Sequence, residues 1–264
     1  MAGSISDWLE LELLDHVLKT GAYAVPTNIY VALSTADPLD TGAGIAEPVG
    51  GSYARVVMDS WDAAASRATE NTNQITFPQA TGDWGTITHW AIFDAITGGN
   101  FLAHGDFTAS KTCPIGTNLY VAAGDIDVEF SAGGICTGLA DQLLDHVFKT
   151  TEYTPETNLY VALFTASPTD AGTTGTECTG GSYAREIMNA WDVAAAGASE
   201  NTNAITFTTA TASWGTVTHF MILDHLTNIA ASDCLIWGTV DPNRLIGIDD
   251  VAEYAAGALD ITLA

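Results

Sequence analysis

Basic residues are scarce in this sequence. Its 264 residues include seven Lys and Arg against 32 Asp and Glu, which gives a formal net charge of −25 at pH 7. A chain this acidic is repelled by phosphate backbones, so we expect no direct binding to nucleic acid. The excess of acid also favours adaptation to salt, because dissolved ions screen the repulsion between surface charges.

Long apolar runs are missing as well. The run at residues 29–33 is among the longest and is far too short to span a bilayer, so we expect no membrane insertion. The opening MAGSISDWLELE lacks the basic and apolar regions of a Sec signal peptide. Hydrophobic residues still make up 47% of the chain, which excludes a disordered acidic tail and predicts one large or two ordinary domains.

Cysteines are few, and they lack the spacing of a metal site. Four cysteines allow three disulfide pairings, and nothing in the sequence selects one of them. The interpretation we favour is four isolated small core residues. They are Cys113, Cys136, Cys178 and Cys234.

The motifs of common enzymes are also absent from the sequence. It contains no G-x-S-x-G, Walker A, H-E-x-x-H or dinucleotide-binding pattern. The stretch GGSYAR places Ser52 after two glycines, but Ala54 stands where a nucleophile elbow needs its second glycine. We interpret GGSYAR as a turn that enters a strand. We therefore predict no catalytic residue, no cofactor and no enzymatic activity.

The sequence is duplicated. GGSYAR occurs at 50–55 and again at 180–185, and LLDHV, YVAL, ENTN and WGT also recur at an offset of 130. Roughly half of the positions from Ile5 to Thr97 are identical in the second copy, far above chance. Near the end the offset becomes 133, because AGDID at 123–127 aligns with AGALD at 256–260. The second copy is thus predicted to hold three extra residues, in the loop around Asn228–Asp233.

The length of the repeat predicts complete domains. A solenoid repeat would be about 20–50 residues long, whereas each copy here is the size of a whole domain. We predict a first domain over residues 1–130, a second over 135–264, and a linker of small residues at 131–134.

Each copy begins with the pattern of an amphipathic helix. Leu9, Leu13 and Val17 are four residues apart and would lie on one face. Ser6 is a plausible N-cap, and Gly21 is a plausible stop.

Short strand patterns follow the helix. They lie at 28–35, 52–58, 74–77, 86–94, 101–107 and 125–130. DIDVEF at 125–130 alternates strictly, which indicates one wet and one dry face. Six or seven short strands with frequent turns predict a mainly β fold, namely two tandem domains resembling a β-sandwich or jelly roll, each with one N-terminal amphipathic helix.

Histidines offer few combinations for chemistry. Asp15-His16 recurs as Asp145-His146, but adjacent helix residues point about 100° apart and do not easily serve one site. The alternative is a histidine that packs where helix and sheet meet. His89 and His219 lie in predicted strands. They could be metal ligands or core residues, and no second metal ligand is near either of them in sequence.

One acidic loop is a calcium candidate. Asp37, Asp40 and Glu47 offer oxygen ligands on a Gly-rich loop, the chemistry that Ca²⁺ prefers. The spacing is not that of an EF-hand, and the second copy replaces Asp37 with Ser167. A solvated turn is the competing interpretation, and our prediction is no metal site.

Several strings resemble a known family. LLDHV, YVALSTADPLD, GGSYAR, ITFPQATGDWGTITHWAIFDAITGGNFL and AAGDIDV are similar to small structural proteins of tailed phages or tailed archaeal viruses, commonly labelled tail fibre proteins. The resemblance covers nearly all of the first copy and most of the second. It implies a virion component without enzymatic activity, assembled in the host cytoplasm.

Three functions stay open at this point. The first is a tail-associated fibre, adhesion or assembly module, and the second is a capsid decoration or turret protein. The third is a carbohydrate-binding or hydrolytic domain that acts on the host surface. For the third, Trp84 and Trp214 would have to form an exposed sugar platform, whereas a Trp repeated in both copies is more often a core anchor.

The duplication also bears on partners. We expect contacts with other virion proteins, with further copies of the chain and, for an adhesion module, with a host receptor. Three tandem chains would form a pseudo-sixfold ring with interfaces above about 1,000 Å². Divergence fits such a ring, because Trp8 corresponds to Gly138 and Arg67 to Gly197.

The net charge leads to a first prediction. The melting temperature of the isolated protein should rise between low and molar NaCl, because screening relieves the repulsion among surplus carboxylates. Calorimetry over a salt series measures it. A melting temperature that stays flat or falls would contradict the prediction.

Overall fold

The computed structural model describes residues 3–149 and 151–263. The first repeat contains β1 (Ser4–Ile5), α1 (Asp7–Leu18), β2 (Tyr30–Ser34), β3 (Val56–Val57), β4 (Ala68–Glu70), β5 (Ile75–Thr76), β6 (Thr86–Phe93), β7 (Phe101–Thr112), β8 (Tyr120–Val121) and β9 (Asp127–Glu129). The second contains α2 (Thr137–Phe148), β10 (Tyr160–Ala166), β11 (Thr176–Glu177), β12 (Glu186–Ile187), β13 (Ser199–Glu200), β14 (Ile205–Thr206), β15 (Gly215–Leu223), β16 (Cys234–Ile246), β17 (Glu253–Tyr254) and β18 (Asp260–Ile261).

Each repeat is built around one antiparallel sheet. The strand order is β1-β7-β6-β2-β3 in the first repeat. In the second it is β11-β10-β15-β16, with β12 also paired to β10. Tyr30 lies opposite Phe93, and Tyr160 lies opposite Leu223, so the central register is the same at an offset of 130. The predicted fold class, mainly β with two tandem sandwich-like domains, is confirmed.

The extra residues of the second repeat lie in one loop. Phe93 pairs with Phe101 across the β6–β7 connection, whereas Leu223 pairs with Cys234 across the β15–β16 connection. The offset between the repeats therefore changes from 130 to 133 within this loop. The predicted position of the insertion, around Asn228–Asp233, is confirmed.

Two small sheets close each repeat. β4 pairs with β9 and β5 with β8, and the second repeat has β13 with β18 and β14 with β17. Ile126, Val128 and Phe130 are buried, while Asp125 and Glu129 are exposed, so the predicted wet and dry faces of DIDVEF are confirmed.

Several strands differ in length from the sequence patterns. The pattern at 52–58 yields only two strand residues, because its first part forms a turn. The pattern at 101–107 continues to Thr112, since Lys111 and Thr112 pair with Ile87 and Thr86 of β6 beyond a register shift at residues 107–110. Local alternation marks where a strand can form, but cross-strand pairing decides where it ends.

The helices form for the predicted reasons. The Ser6 hydroxyl accepts a hydrogen bond from the Leu9 amide at 3.2 Å, so Ser6 is the N-cap, and Leu9, Leu13 and Val17 are fully buried. The helix stops earlier than predicted from Gly21, at a left-handed Lys19 with φ 68°. In the described part of the chain, neither helix has the length and apolar character needed to cross a membrane.

The chain forms two compact units, and the helices do not follow the repeats. Unit 1 consists of Met1–Glu10, Ala24–Ser131 and Asp141–Tyr153. Unit 2 consists of Leu11–Tyr23, Ala132–Ala140 and Thr154–Ala264. Most of α1 thus belongs to the unit with the second repeat's strands, and most of α2 to the unit with the first repeat's strands. The predicted domain boundaries, 1–130 and 135–264, remain a prediction, and they separate the strands of the two repeats but not the helices.

The helix segment of unit 1 is held by carboxylates. Asp145 accepts a hydrogen bond from the Ala64 amide at 2.8 Å, and Asp141 accepts one from the Arg67 amide at 2.7 Å. The ring of Phe148 lies 4.7 Å from that of Trp61. Each carboxylate satisfies a backbone donor, so the helix is fixed by polar contacts as well as by apolar burial.

Unit 2 repeats the arrangement with the other helix. Asp15 accepts a hydrogen bond from the Ala194 amide at 2.6 Å, and the Lys19 amine donates to the Thr157 carbonyl. Asp15 and Lys19 of α1 thus contact the second repeat, whereas Asp7 at the start of α1 donates through its amide to the Asp40 carbonyl of the first repeat. The local sequence does not specify which helix contacts which repeat. Both helices carry LLDHV, and both repeats offer an equivalent backbone amide that can donate to an aspartate.

The two aspartates generate the second prediction. Asp15→Ala and Asp145→Ala should each lower the free energy of unfolding by about 1–3 kcal/mol, because a backbone amide loses its acceptor. Asp→Asn at either position keeps an acceptor oxygen and should cost less. Chemical denaturation measures these changes.

The exposed Glu152→Ala is the control, since it removes the same charge outside the anchor. Equal stability of the Asp145→Ala and Glu152→Ala variants would show that the hydrogen bond to Ala64 does not hold the helix.

Candidate functional site

The GGSYAR stretch begins with a left-handed turn. Gly50, Gly51 and Ser52 all have positive φ, at 75°, 59° and 65°. A Cβ on Gly51 would lie 2.8 Å from the Gly82 nitrogen, so only glycine fits there. The Tyr53 amide closes the turn by donating to the Gly50 carbonyl at 3.0 Å. The prediction of a turn that enters a strand is confirmed, because β3 follows directly.

Tyr53 connects this turn to the main sheet. Its hydroxyl accepts from the Leu33 amide at 2.9 Å and donates to Glu47 at 2.8 Å. Burial raises the pKa of Tyr53 well above its usual range, so the hydroxyl keeps its proton. Trp84 packs edge-on against its ring at 5.4 Å, and the Trp84 indole donates to the Gly51 carbonyl at 2.9 Å.

The tryptophans of the WGT motif are core anchors. Trp84 is 3% exposed and Trp214 is 4% exposed, so neither offers a face to a sugar. Trp214 donates to the Gly181 carbonyl at 2.9 Å, as its counterpart does to Gly51. The interpretation that a repeated Trp serves the core is confirmed.

Arg55 is the centre of the network. Its guanidinium forms a forked contact with Glu47, with Nη2 2.6 Å and Nε 3.1 Å from Oε1. Its Nη1 donates to the carbonyls of Ala95 and Gly98 at 3.0 and 2.7 Å. The guanidinium carbon also lies 3.4 Å from the centre of the Phe93 ring. One side chain thus joins the GGSYAR turn, the acidic loop and the β6–β7 loop.

The second repeat builds the same network despite its longer loop. Arg185 contacts both oxygens of Glu177 at 2.8 Å. Its Nη1 donates to the carbonyls of His225 and Asn228 at 2.6 and 2.9 Å. Two of the chain's seven cations are therefore enclosed at equivalent places. The pairing of a planar donor fork with a carboxylate explains why both are arginine.

The three calcium candidates are not brought together. Glu47 is held by Arg55, the Asp40 carboxylate lies 2.8 Å from the His104 ring, and Asp37 accepts from the Leu39 amide at 2.9 Å. Within residues 3–149 and 151–263, no group of three or more His, Cys, Asp or Glu is arranged to hold a metal ion. The site therefore acts through hydrogen bonds and ion pairs among protein groups.

Asp40 has acidic neighbours in the first turn of α1. Burial raises the pKa of Glu10 to about 7, and repulsion from Asp7 and Asp40 adds to the effect. The Glu10 carboxyl is thus partly protonated near neutral pH.

The histidines of the LLDHV helices are structural. His16 accepts a hydrogen bond from the Tyr23 amide at 3.3 Å, and His146 accepts one from the Tyr153 amide at 3.0 Å. Both rings are buried, at 8% and 2% exposure. The interpretation of a packing histidine, rather than a catalytic one, is supported by this geometry.

The strand histidines pair with local partners. The His89 ring lies 2.7 Å from Asp106 and 2.7 Å from the Thr88 hydroxyl. The His219 ring lies 2.8 Å from the Thr218 hydroxyl, and burial lowers the pKa of His219.

The cysteines are core residues. All four are buried, which confirms the interpretation of small core side chains. Cys136 and Cys234 share one hydrophobic cluster, so these two are not isolated from each other. Burial raises the pKa of Cys178 and of Cys234 to about 11, so their thiols stay protonated and poorly nucleophilic.

Unit 2 contains a cavity that the sequence did not indicate. Its volume is about 330 Å³, and its walls include Leu163, Val217, Val240, Ile246 and Tyr254. The Tyr254 hydroxyl is buried and has no hydrogen-bond partner. Glu253 is the one carboxylate among the lining residues, whereas glycoside hydrolysis generally needs two at one site. No local pattern marks such a cavity, because its walls come from distant strands.

The motifs that recur in both repeats thus build internal supports in a mainly β protein. A comparison with known protein families identifies the family to which both repeats belong. Residues 4–129 and 134–262 each match the family described as podophage GP4 fiber I protein gp80. The chain belongs to this family of phage fibre proteins and carries its domain twice, as the resemblance and the duplication predicted. No curated protein matches the chain.

The arginine network gives the third prediction. Arg55→Lys and Arg185→Lys should each lower the free energy of unfolding by about 2 kcal/mol or more, because lysine keeps the charge but cannot form the fork and both carbonyl contacts. The exposed Arg244→Lys is the matched control. If all three variants unfold at the same denaturant concentration, the network is not a principal support.

Proposed function

We propose that the protein is a non-enzymatic, tail-associated fibre or assembly module of a tailed virus. The observation that carries the proposal is the family match over both repeats, which together span most of the chain. A capsid decoration or turret role is the competing location, and the experiment below separates the two.

A structural role agrees with the chemistry of the repeated motifs. The residues that recur most clearly are engaged with other protein groups, as in the Arg55–Glu47 and Arg185–Glu177 pairs. The carboxylates of an enzyme site would instead be directed toward a substrate. A receptor contact on the host, if the module is an adhesin, would therefore use surfaces outside this network.

Homo-oligomer formation is supported by exposed apolar residues that recur in both repeats. Val57 and Ile187 occupy equivalent positions and are 50% and 56% exposed, and Ile96 and Leu226 are 52% and 49% exposed. Exposed apolar groups at matched positions are typical of contact surfaces between copies. We propose a trimer in a pseudo-sixfold ring, in which these positions provide six similar contacts.

The fourth prediction concerns the particle. In an electron-microscopy map of the intact virion, three chains should lie at the tail, with the two repeats in similar environments. Chains found on the capsid shell would contradict the tail assignment, and repeats in unrelated environments would contradict the ring.

A matched pair of variants tests the contact surface. The double variant Ile96→Asp and Leu226→Asp should reduce incorporation into particles. Val49→Asp is the control, because Val49 is 96% exposed but corresponds to Thr179, a polar residue. Equal incorporation of both proteins would exclude these positions as a contact surface.

A further inference from the structure

Each unit contains a surface that holds the helix of the other repeat. Docking surface 1 is defined by Trp61, Ala64 and Arg67, and in unit 1 it holds α2. Docking surface 2 is defined by Trp191 and Ala194, and in unit 2 it holds α1. The exchange is reciprocal, since each repeat supplies a helix to the other unit and receives one in return.

The two surfaces are built alike. Trp61 and Trp191 are 5% and 6% exposed, and their indoles donate to the carbonyls of Met58 and Met188 at 3.0 and 3.1 Å. In each surface the amide of an alanine three residues after the tryptophan donates to an aspartate of the LLDHV helix. A surface of this kind recognises a copy of the repeat by its helix.

The reciprocal exchange has a partial asymmetry. Asp141 bonds to the Arg67 amide in docking surface 1, whereas α1 has Leu11 at the position of Asp141 and offers no carboxylate to the equivalent amide of Gly197 in docking surface 2. α2 thus brings to its docking surface a second carboxylate that α1 lacks.

The linker between the repeats is short and rich in glycine. Gly133 and Gly134 have φ of 100° and 80°, and a Cβ on either would meet no atom within 4 Å. Glycine allows other backbone conformations at both positions. In the present conformation the Gly133 amide donates to the Asp170 carboxylate at 3.1 Å, and the Gly134 carbonyl accepts from the Trp237 amide at 2.7 Å. The bonds of Asp145, Asp141 and Asp15 each join a helix to a docking surface, so these bonds can form whether the two repeats come from one chain or from two.

We propose that the docking surfaces are self-assembly sites, in which the first repeat of one chain exchanges helices with the second repeat of another copy and residues 131–134 act as the hinge. The helix-to-surface contacts are the same in either form, whereas the hydrogen bonds of Ser131, Gly133 and Gly134 change with the hinge. The equilibrium therefore depends on the linker and on the local concentration of chains. Exchange within one chain prevails in dilute solution, and exchange between chains prevails at the high concentration of an assembling particle. Three chains that exchange helices in this way, each with the next, close into a ring. This inference rests on the trimer of the proposed function and adds the contact that would hold it together.

The fifth prediction uses cysteine pairs in the full-length chain. Chains with Ala64→Cys are mixed with chains with Asp145→Cys, unfolded together, refolded at increasing concentration and oxidised. A disulfide between the two chains should form, and its yield should rise with concentration, to roughly tenfold or more above that of the control pair. Mass spectrometry of the linked peptides identifies the bond.

The control pair is Ala64→Cys with Asp15→Cys. Asp15 has the same place in its helix as Asp145, but α1 belongs to docking surface 2, so this pair should not link. Interchain linkage of Ala64→Cys with Asp145→Cys that is no greater than in the control, at every concentration, overturns the proposal.

A change of linker provides a second measurement. Deleting Gly133 and Gly134 should shift the chain from monomer toward oligomer in light scattering, because a shorter linker hinders exchange within one chain. A shortened chain that keeps its native circular dichroism and stays monomeric also overturns the proposal. If the deletion prevents folding, the cysteine pairs, which keep the natural linker, decide the matter. These measurements are made on purified protein, so they can fail while the tail location, which the particle map tests, holds.

Discussion

A buried guanidinium paired with a carboxylate organises each repeat. In the first repeat, Arg55 binds Glu47, two carbonyls of the β6–β7 loop and the face of Phe93. The GGSYAR turn, the acidic loop before it and the β6–β7 loop about 40 residues further on are thereby fixed to one another. Removing one partner of such a pair leaves an uncompensated buried charge, which is costly. This constraint accounts for the recurrence of GGSYAR, since its glycines shape the turn, its tyrosine binds the glutamate and its arginine completes the pair.

The charge distribution follows from the same constraint. The chain has seven cations in all, and two of them are enclosed in equivalent networks. The surplus carboxylates, in contrast, decorate the surface or accept hydrogen bonds from backbone amides, as Asp15 and Asp145 do. We expect an acidic surface around an apolar core to keep copies of the protein apart at low salt, so the proposed association would rely on specific surfaces and on screening.

The helices connect the fold with assembly. A small β-sandwich buries only a limited apolar core, and a helix that covers it adds much of the missing burial. In this chain the covering helix of each unit is exchanged, so each unit is completed by residues from both repeats. Duplication within one chain supplies the partner at high effective concentration.

The sequence alone determined the duplication, the mainly β class, the N-cap at Ser6 and the place of the insertion near Asn228, because identity, periodicity and offset are local or can be compared directly. It also indicated the phage fibre family, since the matching strings are long. The role of GGSYAR was visible only as a turn. That Arg55 and Glu47 pair, and that Asp37, Asp40 and Glu47 do not converge, depends on side-chain directions that no spacing specifies. The cavity beside Tyr254 was equally hidden, because its walls come from distant strands.

The exchange of the helices was decided only by the tertiary structure. Both helices carry LLDHV, and both repeats present a tryptophan and an alanine amide at equivalent positions, so local sequence fits either helix on either surface. The choice between them depends on chain connectivity and on the added contact of Asp141 with the Arg67 amide. The two helices are nearly identical, and so are the two surfaces that hold them. Their sequences specify the kind of contact, and only the tertiary structure specifies which helix lies on which surface.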